Sequence, residues 1–320
     1  MKLKIQYEKL NEKYVDEALD LIMSAYIEEK SAVPFLPDDK YFTNTLKVST
    51  RNLFNDGIGV AAVRDEELIG FIAGFEVKEF LGKCKGIYSP LYGHGGKKEY
   101  RTILYQELYK LVAELWIKNA CLTHAITLFA HDKDTINELF WQGFGLRCVD
   151  AIREVVPICV NNPSIIIAKA GICDIPALAN IHRQHNLYYR SSPIFMPNKE
   201  EDPIVDLTNW IERDNHHLWV AYHDEKPLGY MRIQPSAETF VSEYKDVMNI
   251  TGAYVVNDER KSGVGTMLLG AIQDWLLNNR YTLCGVDFES INTTGSRFWN
   301  KYFTPYTYSM VRRIDERIVD

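Results

Sequence analysis

Slid against itself by 159 residues, the chain meets its own pattern a second time. Ala18-Leu19 falls on Ala177-Leu178, Pro34 on Pro193, Asp65-Glu66 on Asp224-Glu225, Gly70 on Gly229, Arg101 on Arg260, Trp116 on Trp275, Asn119 on Asn278, Thr123 on Thr282 and Phe129 on Phe288. From position 61 to 129 the matches need no gap. A repeat of that length means one fold built twice, each copy from about half the chain. The 320 residues suit two domains of ordinary size. Two prolines and two asparagines in Val156-Pro-Ile-Cys-Val-Asn-Asn-Pro163 read as the connection. The expected organisation is a first domain over 1–155, a linker over 156–163 and a second domain over 164–320.

Each copy predicts the same run of elements. The first opens with a strand near Lys2 to Tyr7, then a helix from about Val15 to Glu29, a hairpin turning at Arg64-Asp-Glu-Glu67, a long helix from Arg101 to Asn119 and a strand from Leu122 to Phe129. The second repeats this with Ser164 to Ala168, Ile175 to Tyr189, a turn at His223-Asp-Glu-Lys226, a helix from Val264 to Asn279 and a strand from Thr282 to Phe288. The fold class is α/β, a mixed sheet flanked by helices in each copy.

One stretch carries chemistry: Ala253-Tyr-Val-Val-Asn-Asp-Glu-Arg260-Lys-Ser-Gly263-Val-Gly265-Thr-Met-Leu-Leu269, a strand, a tight loop with Arg-x-x-Gly-x-Gly and the start of a helix. Such a loop presents backbone N–H groups at a helix N-terminus, where they hold a phosphate or pyrophosphate. At Gly263 and Gly265 a side chain would stand between oxygens and amides, and glycine adopts the positive φ that a compact anion nest uses. Arg260 adds a permanent charge at the loop mouth. Val264, Met267, Leu268, Ala271, Ile272, Trp275 and Leu276 recur at helical spacing, so the loop feeds an amphipathic helix whose positive end faces the ligand. A Walker A loop is excluded because no lysine follows Gly265, and a Rossmann fingerprint because position 268 is leucine. Under the same offset Gly263 falls on Leu104 and Gly265 on Gln106, so the first copy is expected to lack the nest.

After this helix come the strand Tyr281-Thr-Leu-Cys-Gly-Val-Asp-Phe-Glu289 and the segment Asn292-x-x-Gly295-x-x-Phe298-Trp299-x-Lys301-x-Phe303. Loop and segment in this order resemble the GNAT superfamily of acyl-CoA-dependent N-acyltransferases over about 164 to 315. The end of the first half, Phe140-Trp-Gln-Gly-Phe-Gly145-Leu-Arg-Cys-Val-Asp150, is similar to the end of the fourth helix of such a domain. The chain thus looks like a tandem GNAT protein with a degenerate first copy, each copy having a mostly antiparallel sheet.

The resemblance implies acetyl-CoA, or another acyl-CoA, as cosubstrate, with direct transfer to a primary amine in the second copy. It implies that the backbone of Val255 contacts the thioester arm, that Arg260, Lys261, Ser262, Gly263, Val264, Gly265 and Thr266 bind the diphosphate, and that Asn292 lies on the cofactor side. A primary amine near pKa 10 must shed a proton, which costs about 4 kcal/mol at neutral pH. A carboxylate is the natural acceptor. Glu289 is the first candidate, followed by Asp287 and Glu243. Where the family usually carries a tyrosine as general acid, this chain has Trp299, whose indole only donates. Tyr302, one turn later, fits either a substitute acid or core packing. A competing expectation from another class is an acyl-CoA-binding or sensing protein without catalysis. The first copy is expected to complete the acceptor cleft.

Composition bounds the rest. With 46% hydrophobic and 25% charged residues the chain reads as a globular protein, and a net charge of −7 without a basic face argues against nucleic acid. No window reaches the roughly 18 apolar residues of a membrane span and Met1 to Glu8 has no signal-like core, so a cytoplasmic protein away from the membrane is expected. Cys84, Cys121, Cys148, Cys159, Cys173 and Cys284 lack metal spacing and read as small buried hydrophobes. His182 with His185, and His216 with His217, have no companion ligands, so no metal is expected and a surface or cleft role is. Tyr188-Tyr189-Arg190 and Pro193-Ile-Phe-Met-Pro197 fit either an aromatic acceptor wall or core packing. The partner is a small-molecule or peptide amine whose identity the residues leave open, as they do the oligomeric state.

Overall fold

The computed structural model describes residues 4–197 and 201–319. The first copy supplies β1 (Gln6–Lys9), α1 (Val15–Ala32), α2 (Thr43–Asp56), β2 (Ile58–Arg64), β3 (Glu67–Val77), β4 (Gly86–Ser89), β5 (His94–Gly96), α3 (Arg101–Lys118), β6 (Thr123–Phe129), α4 (Lys133–Trp141) and β7 (Gly145–Glu154). The second supplies β8 (Ile166–Lys169), α5 (Ile175–Arg190), α6 (Pro203–Ile211), β9 (His217–His223), β10 (Lys226–Gln234), β11 (Val247–Val255), α7 (Val264–Asn278), β12 (Leu283–Glu289), α8 (Thr293–Tyr302) and β13 (Thr304–Arg313). Of the strand expected from Lys2 to Tyr7, Lys2 and Leu3 lie outside the described residues, and the strand seen runs Gln6–Lys9. Among the described residues no helix is long and apolar enough to cross a membrane.

The chain forms two compact units that cut across the copies. Unit 1 is Met1–Asp150, Thr239–Val241 and Pro305–Asp320; unit 2 is Ala151–Glu238 and Ser242–Thr304. In unit 1 the strands run β1-β2-β3-β4-β6, antiparallel except for the β4–β6 pair, with β5 on β3. In unit 2 they run β8-β9-β10-β11-β12, antiparallel except for β11–β12. Both hairpins turn through two residues with positive φ, Asp65 (51°) with Glu66 (67°) and Asp224 (45°) with Glu225 (63°). That is the backbone of a two-residue type I′ turn, which matches the twist of the flanking strands.

The last strands are traded. β13 ends the second copy yet lies in unit 1, antiparallel to β6 from Thr307 opposite Phe129 to Arg313 opposite Thr123. The end of β7 passes into unit 2, where the Val155 N–H donates to the Thr282 carbonyl at 2.9 Å, beside the start of β12.

Packing of the long helices shifts the repeat register. α3 buries Leu104, Leu108, Val112 and Trp116; α7 buries Val264, Leu268, Ile272 and Leu276, each 160 residues on. The chain then leaves each helix alike, Cys121 N–H donating to Trp116 and Tyr281 N–H to Leu276. From the long helix through the strand that follows it, equivalent places therefore stand 160 apart, not 159. Trp275 is not the counterpart of the core residue Trp116 and lies only half-buried. The partners of Gly263 and Gly265 are correspondingly Ile103 and Tyr105 rather than Leu104 and Gln106. Two cysteines also depart from expectation, since Cys159 and Cys173 are exposed, one before β8 and one in the short turn that leads into α5.

Candidate active site

β11 sets the site. Its parallel pairing with β12 covers only Val247–Ile250 against Leu283–Val286, and beyond Ile250 the two strands part. On its other edge the register with β10 slips between Arg232 opposite Gly252 and Ile233 opposite Ile250, so Thr251 is an extra residue, a β-bulge. Gln234 Oε1 holds this bulge by accepting from Thr251 Oγ1 at 3.2 Å. The bulge bends β11 away from β12 and opens a wedge, leaving the edge of Thr251 to Val255 without a strand on that side. A glycine inside a strand, Gly252, was the sequence signal for it.

A cavity of about 450 Å³ occupies the wedge, lined by residues of unit 2. One end is the glycine loop, with Arg260, Lys261, Gly263, Gly265 and Thr266 on its wall. Gly263 caps α7 in the left-handed region, φ 95°, which a side chain would strain. A Cβ on Gly265 would meet the Phe298 ring at 3.4 Å and Val255 at 3.9 Å, both ordinary contact, and the glycine lines the cavity. The first N–H groups of α7 have no partner within the helix. Ser262 and Val264 do not line the cavity: Ser262 Oγ donates to the Glu259 carbonyl and the Val264 side chain is buried. Any part they take in binding is through their amides.

Arg260 is on the cavity wall at the loop, with its side chain tied back. Its Nε donates to the Val255 carbonyl at 3.1 Å, and its guanidinium lies 4.5 Å from the Tyr188 ring and 5.3 Å from that of Tyr254. Aromatic faces and a carbonyl are strong partners for a planar cation, so the side chain folds back to brace the end of β11. Val255 itself lines the cavity. Asn292 caps α8, its Oδ1 accepting from Gly295 N–H at 3.0 Å and from Tyr188 O–H at 2.8 Å, while it still borders the cavity.

The three carboxylates fall in different places. Asp287 lines the cavity where β12 leaves β11; Glu289 sits partly buried at the strand's end, off the cavity wall; Glu243 is exposed before β11. Burial pushes the Asp287 carboxyl up to about 6, with the charges of Glu238 and Glu289 adding and that of Arg232 opposing. Tyr302 also lies off the wall, its hydroxyl 2.9 Å from Thr266 Oγ1. Its burial works to raise its pKa, but hydrogen bonds from Lys301 and Thr266 and the charges of Lys301 and Arg153 outweigh this and lower it. Trp299 is buried on the wall.

His182 and His185 are neither surface residues nor ligands. Both point from α5 into the core and meet the buried Tyr230 hydroxyl, at 2.9 and 2.6 Å, while His182 Nε2 donates to Asp206 at 2.8 Å. Donors and acceptors match if His185 donates to Tyr230 and Tyr230 donates to His182. Burial, then the charges of Arg232, His182 and Arg260, pushes His185 down to about 3, so it stays neutral. Tyr188, Tyr189, Tyr230 and Tyr254 make the aromatic side of the cavity. Among the described residues no group of three or more His, Cys, Asp or Glu could hold a metal ion.

Comparison with known proteins agrees with this geometry. A profile of the acetyltransferase (GNAT) family matches residues 181–302. In fold the chain is similar to a GCN5-related N-acetyltransferase from Sphaerobacter thermophilus (TM-score 0.61, 11% identity, 97% of this chain and 95% of that one). It is also similar to a GNAT-family acetyltransferase from Colwellia psychrerythraea (TM-score 0.51, 13% identity, 98% and 100%). No curated protein matches it in sequence. Residues 181–302 thus match the GNAT acetyltransferase family, and the chain has a mixed α/β fold like those of GNAT proteins.

Proposed function

We propose that the chain is an N-acetyltransferase moving an acetyl group from acetyl-CoA to a primary amine by direct transfer, in the wedge of unit 2, in the cytoplasm. The observation that carries this reading is that one cavity joins an amide-lined helix start, an unpaired strand edge and a carboxylate of raised proton affinity. Acetyl-CoA, when bound, supplies an activated acetyl thioester. The residues present fit it: the amides from Lys261 to Thr266 suit its diphosphate, Gly265 leaves the space a Cβ would fill, and the edge from Thr251 to Val255 offers backbone partners to an amide-bearing arm.

Asp287 is the general base. Its carboxylate is on the wall, and a pKa near 6 keeps it ionised at neutral pH yet basic enough to take a proton from an amine. Glu289 acts on Asp287 through its charge, raising that affinity. Tyr302 and Thr266 form a hydroxyl pair that can hold a proton at the cavity edge, at Thr266 Oγ1. Unit 1, with its site filled by side chains, serves as a scaffold and binds no acyl-CoA.

Incubating the protein with acetyl-CoA and a panel of amines while following free thiol tests this. Amine-dependent thiol release that falls sharply in Asp287→Asn is expected. CoA binding with no release on any amine would instead make the chain an acyl-CoA-sensing protein, the reading that Trp299 in the usual acid position favours.

A further inference from the structure

We infer that Arg232 binds an anionic group, a carboxylate, on the acceptor, so that the amine substrate is an amino acid or an amine of similar zwitterionic form. This rests on the acetyltransferase reading above. Arg232 stands opposite Gly252 in the β10–β11 register, at the bulge that opens the wedge. A Cβ on Gly252 would lie 2.5 Å from Arg232 Nε, so the arginine lies flat over the backbone of a residue that lines the cavity. The guanidinium is 5.1 Å from the Trp210 ring of α6, which closes its far side.

What it lacks is a counter-ion. Among the described residues Arg232 makes no ion pair and no hydrogen bond, and its Nε is buried without a partner. Arg101 by contrast, also largely enclosed, takes two carboxylates. A guanidinium is permanently charged and its planar fork of donors matches a carboxylate. Leaving such donors unmet in a partly enclosed place is costly unless a ligand meets them. Asp287, an acid on the cavity wall, feels the Arg232 charge but forms no ion pair with it. Arg232 is not itself on the cavity wall but lies over Gly252, which is, so a ligand reaching past Gly252 would meet an unpaired cation while Asp287 stands on the wall. An α-amino acid carries the complementary pair, its amine toward Asp287 and its carboxylate toward Arg232.

The test uses matched ligands that differ in the carboxylate alone, L-phenylalanine with 2-phenylethylamine and L-lysine with cadaverine, titrated calorimetrically into the CoA-loaded protein and into Arg232→Gln. The carboxylate-bearing member of at least one pair is expected to bind about 10- to 100-fold more tightly, the worth of one charge-assisted contact, and the preference should vanish in Arg232→Gln. Arg232→Lys, which keeps the charge but not the fork, should retain part of it. Equal or tighter binding of both decarboxylated members, or a preference unchanged in Arg232→Gln, would overturn the inference, and the wild-type pairs decide it even if neither variant folds. Thiol release is read separately, so a protein that prefers the carboxylate without turning over refutes the acetyltransferase reading and not this one.

Discussion

At equivalent places the two long helices begin differently. α7 starts at Val264, behind a glycine whose left-handed backbone ends the loop; α3 starts at Arg101, three residues earlier in the common register. In the first copy that stretch is wound into helix. Tyr105 takes the place of Gly265 and buries its ring, with its hydroxyl on His94. Arg101, nearly buried, ties Glu28 at 3.0 Å and Asp132 at 3.3 Å, and Asp132 is the helix cap equivalent to Asn292. Thr127, hydrogen-bonded to Ser309 at 2.7 Å, replaces Asp287. At each of these places the first copy is filled by contacts within its own chain.

The comparison is sharpest at Gly263. Gly263→Val should weaken CoA binding by about 10²- to 10⁴-fold, the loss of two charge-assisted amide contacts, as read by calorimetry. One CoA per chain in the wild type is expected; two would break the contrast. Next, Asp287→Asn should lower kcat by about 10²- to 10⁴-fold while leaving CoA affinity unchanged. In the wild type kcat/KM should rise with pH through about 6, because only ionised Asp287 accepts a proton. The sign for stability is opposite. A carboxyl whose pKa is higher folded than unfolded loses stability as pH rises from the ordinary carboxylate range to about 6, so Asp287→Asn should raise the thermal midpoint above that pH.

In the first copy the effects should move from binding to stability. Arg101→Ala leaves Asp132 without its cation and Glu28 with Lys98 alone, and should cost about 3 kcal/mol in urea unfolding, with CoA affinity untouched. The smallest effect is expected at Gly265→Ala. Its Cβ meets the Phe298 ring at ordinary contact, so stability should stay within about 0.5 kcal/mol while CoA affinity drops about 10-fold. A Gly265→Ala protein that binds CoA normally would show that the open space there is not the diphosphate seat.

Much of this was legible beforehand because it is local. Gly263, the helix from Val264 and both two-residue hairpin turns follow from backbone rules acting over a few residues. The repeat was visible too, but identical letters misled by one position at the long helix. Packing aligns Trp116 with Leu276, and the two chance tryptophans concealed it. Asp287 ranked below Glu289 because alternation along a strand does not tell which residue faces a wedge, and that depends on where β11 parts from β12. The fold-back of Arg260 and the burial of His182 and His185 depend on aromatic side chains brought together from α5, β10 and β11. α2, with Leu46, Thr50, Leu53 and Phe54 on one face, had a helical spacing that was open to reading.

The trading of last strands limits what descent can do with a duplicated gene. β6 is completed by a strand encoded at the far end, and the tail of β7 belongs to the other unit. No single cut between 155 and 304 yields two self-sufficient proteins, so the first copy stays tied to the second whether or not it holds a ligand. Its persistence is inherited from topology, and needs no second activity to explain it.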